Sequence, residues 1–264
     1  MKRLGFLACI VLLSSFIIGS ATKPTLYIIG DSTVKNGSGK GQDSMWGWGS
    51  FLHEYFDTTR IHLENHAIGG RSSRTFITEG RWERILAKLQ PGDYVIMQFG
   101  HNDNGALNDS TRARGTIKGL GEETQEIDNL LTKKHEIVHT FGWYMRKYVD
   151  ETKAKGAIPI VCSPVPRNNW KDGKIATSEN GHRQWAEAVA KSNGAFYVDL
   201  FGIIATKYEA AGEARVKPDY FTPKDNTHTN EAGAKLNAAS VVEGLKQLKD
   251  CSLNNFLVNS ELKK

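Results

Sequence analysis

Short segments rich in apolar residues recur along the chain with helical patterns between them, and three of these segments run directly into a glycine. Five such segments are predicted as buried strands, at residues 25–29, 61–68, 93–99, 158–162 and 195–199. Continuous apolar runs of this length are typical of parallel strands that are covered on both faces. Helices are predicted at residues 46–56, 81–89, 136–155, 179–192 and 230–249. These β–α units predict an α/β fold, a single-domain three-layer α/β/α sandwich with a parallel sheet of about five strands, flavodoxin-like in type.

The first 21 residues have the pattern of a secretory signal peptide. Lys2 and Arg3 precede an apolar run at residues 4–18, and small residues follow at 19–21. The run is short for a membrane-spanning helix, which needs roughly 20 apolar residues. We therefore expect cleavage after residue 21, a hydrolase domain at residues 22–264, and a secreted or periplasmic protein that has no membrane segment after cleavage.

Charge and cysteine content narrow the possible partners. The net charge is +5, but the positive residues are scattered rather than gathered in a basic helix or patch, which argues against nucleic acid as a partner. We expect a monomer.

Cys162 and Cys251 would remain after export, and the sequence leaves open whether they form a disulfide or two separately buried thiols.

Four polar blocks fall at strand ends or just before the last helix. They are residues 30–33 (Gly-Asp-Ser-Thr), 69–70 (Gly-Gly), 100–103 (Gly-His-Asn-Asp) and 225–228 (Asp-Asn-Thr-His). Each alone has a plain structural explanation, as a helix cap or a turn. The carboxyl ends of parallel strands lie on one rim of a sheet, so we expect the four blocks to lie close together.

Together the blocks contain the groups that acyl transfer requires. Ser32 is the candidate nucleophile, His228 the base, and Asp225 the acid that orients the imidazole. Gly70 can offer a backbone N–H and Asn102 a side-chain N–H to a developing oxyanion. A G-x-S-x-G motif is absent, which argues against the common α/β-hydrolase pattern. No metal or organic cofactor is needed for this chemistry.

In order and spacing, the four blocks resemble those of the SGNH hydrolases, also called GDSL-type esterases. The resemblance covers residues 25–248, and the rhamnogalacturonan acetylesterase branch is the most similar. Three further segments carry that similarity, namely Gly47-Trp48-Gly49, residues 65–72 (N-H-A-I-G-G-R-S) and residues 163–167 (S-P-V-P-R). The resemblance implies an oxyanion hole formed by Ser32, Gly70 and Asn102, with Ser32, Asp225 and His228 as the catalytic residues.

The resemblance also implies a substrate class. We expect a serine esterase that removes O-acetyl groups from a plant cell-wall polysaccharide, most simply the acetylated rhamnogalacturonan of pectin. Arg71, Arg74 and Arg167 are candidate contacts to uronate carboxylates, although solvated or structural roles explain them equally well. Acetyl xylan, another glycan or a short-chain acyl ester is an alternative substrate. A non-catalytic carbohydrate-binding protein is the alternative of another class. The long polar segment at residues 102–134 is expected to cover the site.

Overall fold

A computed structural model describes residues 23–258, so the predicted signal peptide lies outside the described residues. The strands are β1 (Thr25–Gly30), β2 (His62–Asn65), β3 (Tyr94–Gln98), β4 (Thr124–Asp128), β5 (His135–His139), β6 (Ile158–Cys162), β7 (Trp170–Lys171), β8 (Lys174–Ile175) and β9 (Phe196–Val198). The α-helices are α1 (Ser73–Thr78), α2 (Arg81–Leu86), α3 (Phe141–Ala154), α4 (His182–Asn193), α5 (Leu200–Ala211), α6 (Glu213–Tyr220) and α7 (Glu231–Gln247).

Five of these strands form the central sheet, in the order β2-β1-β3-β6-β9. All four pairings between them are parallel. This confirms the predicted α/β class and the parallel sheet of five strands. Each connection between parallel strands must cross over one face of the sheet, and these connections contain the helices. Helices therefore cover both faces.

Alternate residues of the central strands divide the core into two layers. Leu26 and Ile28 of β1 pack in one hydrophobic cluster, which also contains apolar residues of α5 and α7. Tyr27 and Ile29 point to the opposite cluster, which contains residues of α2, α3 and α4. Because both faces of β1 are buried, its sequence is a continuous apolar run rather than an alternating one.

Two predicted helices differ from the structure. Residues 46–56 form short 3-10 turns at Trp48–Ser50 and Leu52–Tyr55 instead of one α-helix. The helix predicted at 136–155 begins only at Phe141, where Thr140 caps it by accepting a hydrogen bond from the N–H of Trp143. The residues before it belong to β5, which pairs antiparallel with β4.

Three helices, α1, α5 and α6, had no counterpart in the sequence prediction. Helix α5 begins directly after the fifth sheet strand, because the Asp199 side chain accepts from the N–H of Gly202 and caps it. Cys162 and Cys251 are free thiols, and both are buried. None of the described helices is long and apolar enough to cross a membrane.

Candidate active site

Ser32, His228 and Asp225 form a continuous chain of hydrogen bonds at the carboxyl end of the sheet. The Oγ of Ser32, just after β1, lies 2.9 Å from Nε2 of His228. Nδ1 of the same imidazole lies 2.7 Å from Oδ2 of Asp225. An ionised carboxylate can only accept, so Nδ1 carries the proton and Nε2 is left to accept the hydroxyl proton of Ser32.

Asp225 is held in its ionised form by its neighbours. Burial acts to raise its pKa, but hydrogen bonds from the His228 side chain and from the N–H groups of His228 and Thr227 lower the pKa to about 2. The two N–H groups lie 2.8 and 2.7 Å from Oδ1 of Asp225. The turn at residues 225–228 therefore keeps an acceptor facing the imidazole at any neutral pH.

Residues 46–49 join the loop that carries Ser32 to the loop that carries His228. The N–H of Trp48 donates to the carbonyl of Thr33, at 3.1 Å. Trp46 exchanges two hydrogen bonds with Thr229, one through its N–H at 3.0 Å and one through its carbonyl at 2.9 Å. Close packing explains Gly47, because a Cβ there would lie 2.2 Å from the carbonyl carbon of Val34.

A buried polar network lies beneath Ser32. The indole N–H of Trp48 donates to Oε1 of Gln98 at 2.9 Å, and Nε2 of Gln98 donates to the Thr33 hydroxyl at 2.6 Å. Thr33 in turn donates to Oδ1 of Asp31 through both its hydroxyl and its N–H, at 2.7 and 2.8 Å. The network fixes the backbone on both sides of Ser32.

The groups expected to bind an oxyanion border the same cavity as Ser32. Gly70 has φ of +81°, a conformation that favours glycine. Within residues 23–258, the backbone N–H groups of Ser32 and Gly70 donate no hydrogen bond. Asn102 uses its side-chain amide to donate to the carbonyl of Arg71 at 2.9 Å, which fixes the orientation of the amide group. One N–H of that amide stays available for a ligand.

The three arginines predicted to contact substrate have different surroundings. Arg71 borders the cavity, and its guanidinium donates to Glu79 and to the carbonyl of Gly69. Arg167 donates to the hydroxyl of Thr227, the residue before His228, at 2.6 Å, and it borders a neighbouring cavity of about 260 Å³ instead.

Arg74 does not fit the expected substrate contact. Its side chain is fully buried, and its guanidinium donates to both carboxylate oxygens of Glu136, at 2.6 and 2.8 Å. A third nitrogen donates to the carbonyls of Leu107 and Gly115. All three guanidinium nitrogens are bonded within the protein, so Arg74 anchors the segment after β3 to α1. It is not placed to contact a substrate.

The cavity at Ser32 has a volume of about 560 Å³. Besides the predicted residues, its lining includes side chains from distant parts of the chain that no motif had indicated, namely Met45, Thr75, Glu79, Thr111, Arg112, Ala113, Arg114 and Leu131. Four of these come from residues 111–114, so the polar segment after the third sheet strand does border the site. In residues 23–258, no group of three or more His, Cys, Asp or Glu side chains is arranged to hold a metal ion.

Comparisons with known proteins agree with this geometry. The model of a family described as GDSL-like lipase/acylhydrolase matches residues 28–236. A rhamnogalacturonan acetylesterase from Emericella nidulans is 34% identical over 252 residues, which cover 96% of each chain. The rhamnogalacturonan acetylesterase RhgT from Bacillus subtilis is 29% identical, with 89% of this chain and 95% of the relative covered.

Solved structures share the fold. The crystal structure of the Bacillus subtilis protein YxiM has a TM-score of 0.68 and 28% identity, and the match covers 85% of this chain and 56% of that chain. The acetylxylan esterase Axe2 from Geobacillus stearothermophilus has a TM-score of 0.53 at 18% identity, with 84% and 94% covered. The family match spans most of the chain and includes every polar block of the site. The chain therefore belongs to the GDSL-like lipase/acylhydrolase family and is an ester hydrolase.

Proposed function

We propose that this protein is a carbohydrate acetylesterase that removes O-acetyl groups from rhamnogalacturonan, with Ser32 as nucleophile, His228 as base and Asp225 as the orienting acid. The observation that carries the proposal is the hydrogen-bonded series from Ser32 through His228 to Asp225, at 2.9 and 2.7 Å, with Ser32 and His228 on the wall of an open cavity. This is the arrangement that activates a serine hydroxyl for attack on an ester.

The reaction begins when the Ser32 Oγ attacks the acetyl carbonyl carbon while its proton passes to Nε2 of His228. Asp225 stabilises the imidazolium that results. The tetrahedral intermediate collapses, the bond to the sugar oxygen breaks, and that oxygen takes the proton from Nε2. Water then attacks the acetyl-Ser32 ester, with His228 as the base again, and releases acetate and free Ser32.

The oxyanion of each tetrahedral intermediate is placed between the N–H groups of Ser32 and Gly70 and the Asn102 amide. Each donor is held by the backbone or, for Asn102, by the hydrogen bond to Arg71, so little reorganisation is needed. Asn102→Ala should lower kcat by roughly 10²–10³-fold. Unchanged kcat in this variant would remove Asn102 from the oxyanion hole.

The substrate class is inferred from the relatives and the cavity lining. Two relatives at 29–34% identity over most of the chain are named rhamnogalacturonan acetylesterases. The cavity at Ser32 carries three arginines and one glutamate, Arg71, Arg112, Arg114 and Glu79. A cationic lining suits a polymer that contains uronic acids.

We further propose that the protein is exported, secreted or periplasmic, as a monomer that begins at residue 22 and keeps no membrane segment. The motivating pattern is the basic, apolar and small-residue sequence of residues 1–21. Intact-mass analysis of the protein recovered outside the cytoplasm tests the cleavage site, and light scattering tests the monomer. An uncleaved chain that stays in the membrane fraction would contradict export.

The activity is tested by measuring acetate release from acetylated rhamnogalacturonan and acetylated xylan in parallel. We expect release from the pectic polymer and its loss in Ser32→Ala. Release from xylan alone would keep the mechanism and replace the substrate. Tight glycan binding without any turnover would favour the non-catalytic alternative.

A further inference from the structure

Two arginines of the segment between β3 and β4, Arg112 and Arg114, border the cavity beside Ser32. Arg114 is held in the site, because its Nη1 donates to the carbonyl oxygen of Gly70 at 3.2 Å. Gly70 also supplies one of the N–H groups assigned to the oxyanion hole. The guanidinium of Arg114 is therefore held beside the residue that the proposed oxyanion hole uses.

Most of the hydrogen-bonding capacity of Arg114 is unused. A guanidinium has five N–H donors, and the bond to Gly70 uses one of them. Among the described residues, no carboxylate oxygen lies within ion-pair distance of Arg112 or Arg114. Arg71, by contrast, is already paired with Glu79 at 3.0 Å.

The acids that surround Arg114 act on it only from a distance. Asp31 and Asp103 favour its charge at longer range, while burial and the neighbouring Arg112 oppose it and lower its pKa. Arg114 stays protonated in spite of this, as guanidinium groups in proteins do. A partly desolvated cation without a contacting anion is unfavourable unless a ligand supplies the anion.

We propose that Arg114, with Arg112 beside it, binds the carboxylate of a uronic acid unit next to the acetylated sugar. This inference rests on the proposed function, since it names the group on an acidic glycan that the esterase site recognises. Arg114 is then a specificity residue. Its unused N–H donors can form a bidentate pair with the carboxylate, while its bond to Gly70 holds the guanidinium in place.

If Arg114 binds a carboxylate, substitutions at Arg114 should lower activity on acidic esters and leave activity on esters without a carboxylate unchanged. An ester without a carboxylate leaves the two cations without a ligand, so changes at Arg114 should not affect it. An ester on an acidic oligosaccharide gains binding energy from the pair, so the changes should appear mainly in KM. Lysine keeps the charge but loses the planar fork, and should restore only part of the affinity.

The test compares three esters with wild type, Arg114→Gln, Arg114→Lys and Lys118→Gln. Lys118 is an exposed cation on the same segment that does not border the cavity, so Lys118→Gln is the matched control for charge. The esters are an acetylated rhamnogalacturonan oligosaccharide, the same oligosaccharide after reduction of its carboxyl groups, and p-nitrophenyl acetate.

We expect Arg114→Gln to raise KM for the acidic oligosaccharide about tenfold or more, and to change kcat/KM for the other two esters less than about twofold. Arg114→Lys should fall between, and Lys118→Gln should match wild type. Equal losses on all three esters would overturn the inference and assign Arg114 to the support of Gly70. Equal wild-type rates on native and carboxyl-reduced oligosaccharides would also overturn it.

Calorimetric binding separates this inference from the activity. In the Ser32→Ala background, the deacetylated acidic oligosaccharide should bind about tenfold more weakly when Arg114→Gln is added. Equal affinity, or no binding in either protein, would overturn the carboxylate site. Binding that depends on Arg114, together with a wild-type enzyme that releases no acetate from any glycan, would reject the proposed function and keep the site.

Discussion

The side-chain amide of Gln98 donates a 2.6 Å hydrogen bond to the hydroxyl of Thr33, the residue that directly follows Ser32. Gln98 is the last residue of the central strand β3, and both side chains are buried. The loop that carries Ser32 is therefore attached to the central strand of the sheet through a side chain as well as through the backbone. Such buried networks are stabilising only while every member has a partner.

Thr33→Val tests this attachment. Valine has nearly the same shape, but it leaves the Gln98 amide without its acceptor and removes one donor from Asp31. We expect the free energy of unfolding to fall by about 1–3 kcal/mol, because a buried polar group is left unsatisfied. We also expect kcat to fall, because the backbone beside Ser32 is no longer fixed. Urea denaturation and acetate release measure the two effects.

The chain contains a matched control for Thr33→Val. Thr59 donates to Oδ1 of Asp57 through its hydroxyl and its N–H, at 2.6 and 3.0 Å, but this pair is exposed. Thr59→Val removes the same type of bond, and water can replace it, so we expect a clearly smaller loss of stability than in Thr33→Val. Similar losses in the two variants would mean that burial of the Thr33 network has no special effect.

Residues 46–49, which join the loop of Ser32 to the loop of His228, contain a second position where substitution should reduce activity, Gly47. In Gly47→Ala the new methyl group would lie 2.2 Å from a backbone carbon of Val34, which a side-chain movement cannot relieve. The loop must shift, and Ser32 with it. We expect kcat to fall at least about tenfold, because small misplacements of catalytic groups have large effects on rate. Steady-state kinetics on p-nitrophenyl acetate measures this.

Gly37→Ala is the comparison for Gly47→Ala. A Cβ at Gly37 meets nothing within 4 Å. The free energy of unfolding should stay within about 1 kcal/mol of wild type in Gly37→Ala. It should fall by clearly more in Gly47→Ala, as overpacking against backbone does. A Gly47→Ala protein with wild-type kcat and stability would show that the two loops are not held by this contact.

The central sheet was predictable because its strands are buried on both faces. Strands β1 and β3 are almost wholly apolar, and that pattern depends on local sequence alone. Ser32, Asn102 and His228 could be expected to meet for a related reason, since each follows a strand or precedes a helix at the same rim. The argument needed only the order of the elements and the parallel direction of the strands.

Long-range contacts explain what the sequence did not reveal. The helix predicted from residue 46 does not form there, and Gly47 is extended because the segment binds both Thr33 and Thr229. The neighbouring sequence does not distinguish the two arginines, although Arg74 is buried against Glu136 and Arg114 borders the cavity. The difference depends on the path of the segment between β3 and β5, and neither periodicity nor composition determines that path.

The pair of Arg74 and Glu136 predicts a loss of stability when its cation is removed. Arg74→Met leaves a carboxylate that is 14% exposed without its cation, so we expect the free energy of unfolding to fall by about 3 kcal/mol. Adding Glu136→Gln should recover part of this, because the unpaired charge is gone. Chemical denaturation measures both.

An exposed ion pair is the control for Arg74→Met. Lys191 and Glu187 lie on the surface of α4 at 2.6 Å, and Lys191→Met should cost less than about 0.5 kcal/mol. A loss below about 1 kcal/mol in Arg74→Met would mean that Arg74 does not anchor the segment, and would return it to the candidates for substrate contact.

Asp103 predicts how stability depends on pH. Its side chain, which follows Asn102, is buried, and burial raises its pKa to about 7. This happens even though Oδ1 accepts hydrogen bonds from the N–H and hydroxyl of Ser73. The unfolded chain loses this proton near pH 4. Between about pH 4 and 7 the folded protein binds the proton more tightly, so Asp103 makes the free energy of unfolding fall as the pH rises, by at most about 1.4 kcal/mol per pH unit.

Asp103→Asn removes this titration and keeps an oxygen that can accept from Ser73. Compared with wild type, its stability should therefore improve steadily from pH 4.5 to 7 and level off above that, since the other titrating groups are common to both proteins. Asp109→Asn is the control, because Asp109 lies at the surface and its pKa is lowered by hydrogen bonds led by that of the Thr111 hydroxyl, which places its titration below this range. Urea denaturation at each pH gives the difference. If the difference between wild type and Asp103→Asn did not change with pH, Asp103 would be ionised throughout. The segment after β3 would then contain a buried negative charge, which the hydrogen bonds from Ser73 and from the backbone of Gly100 would have to stabilise.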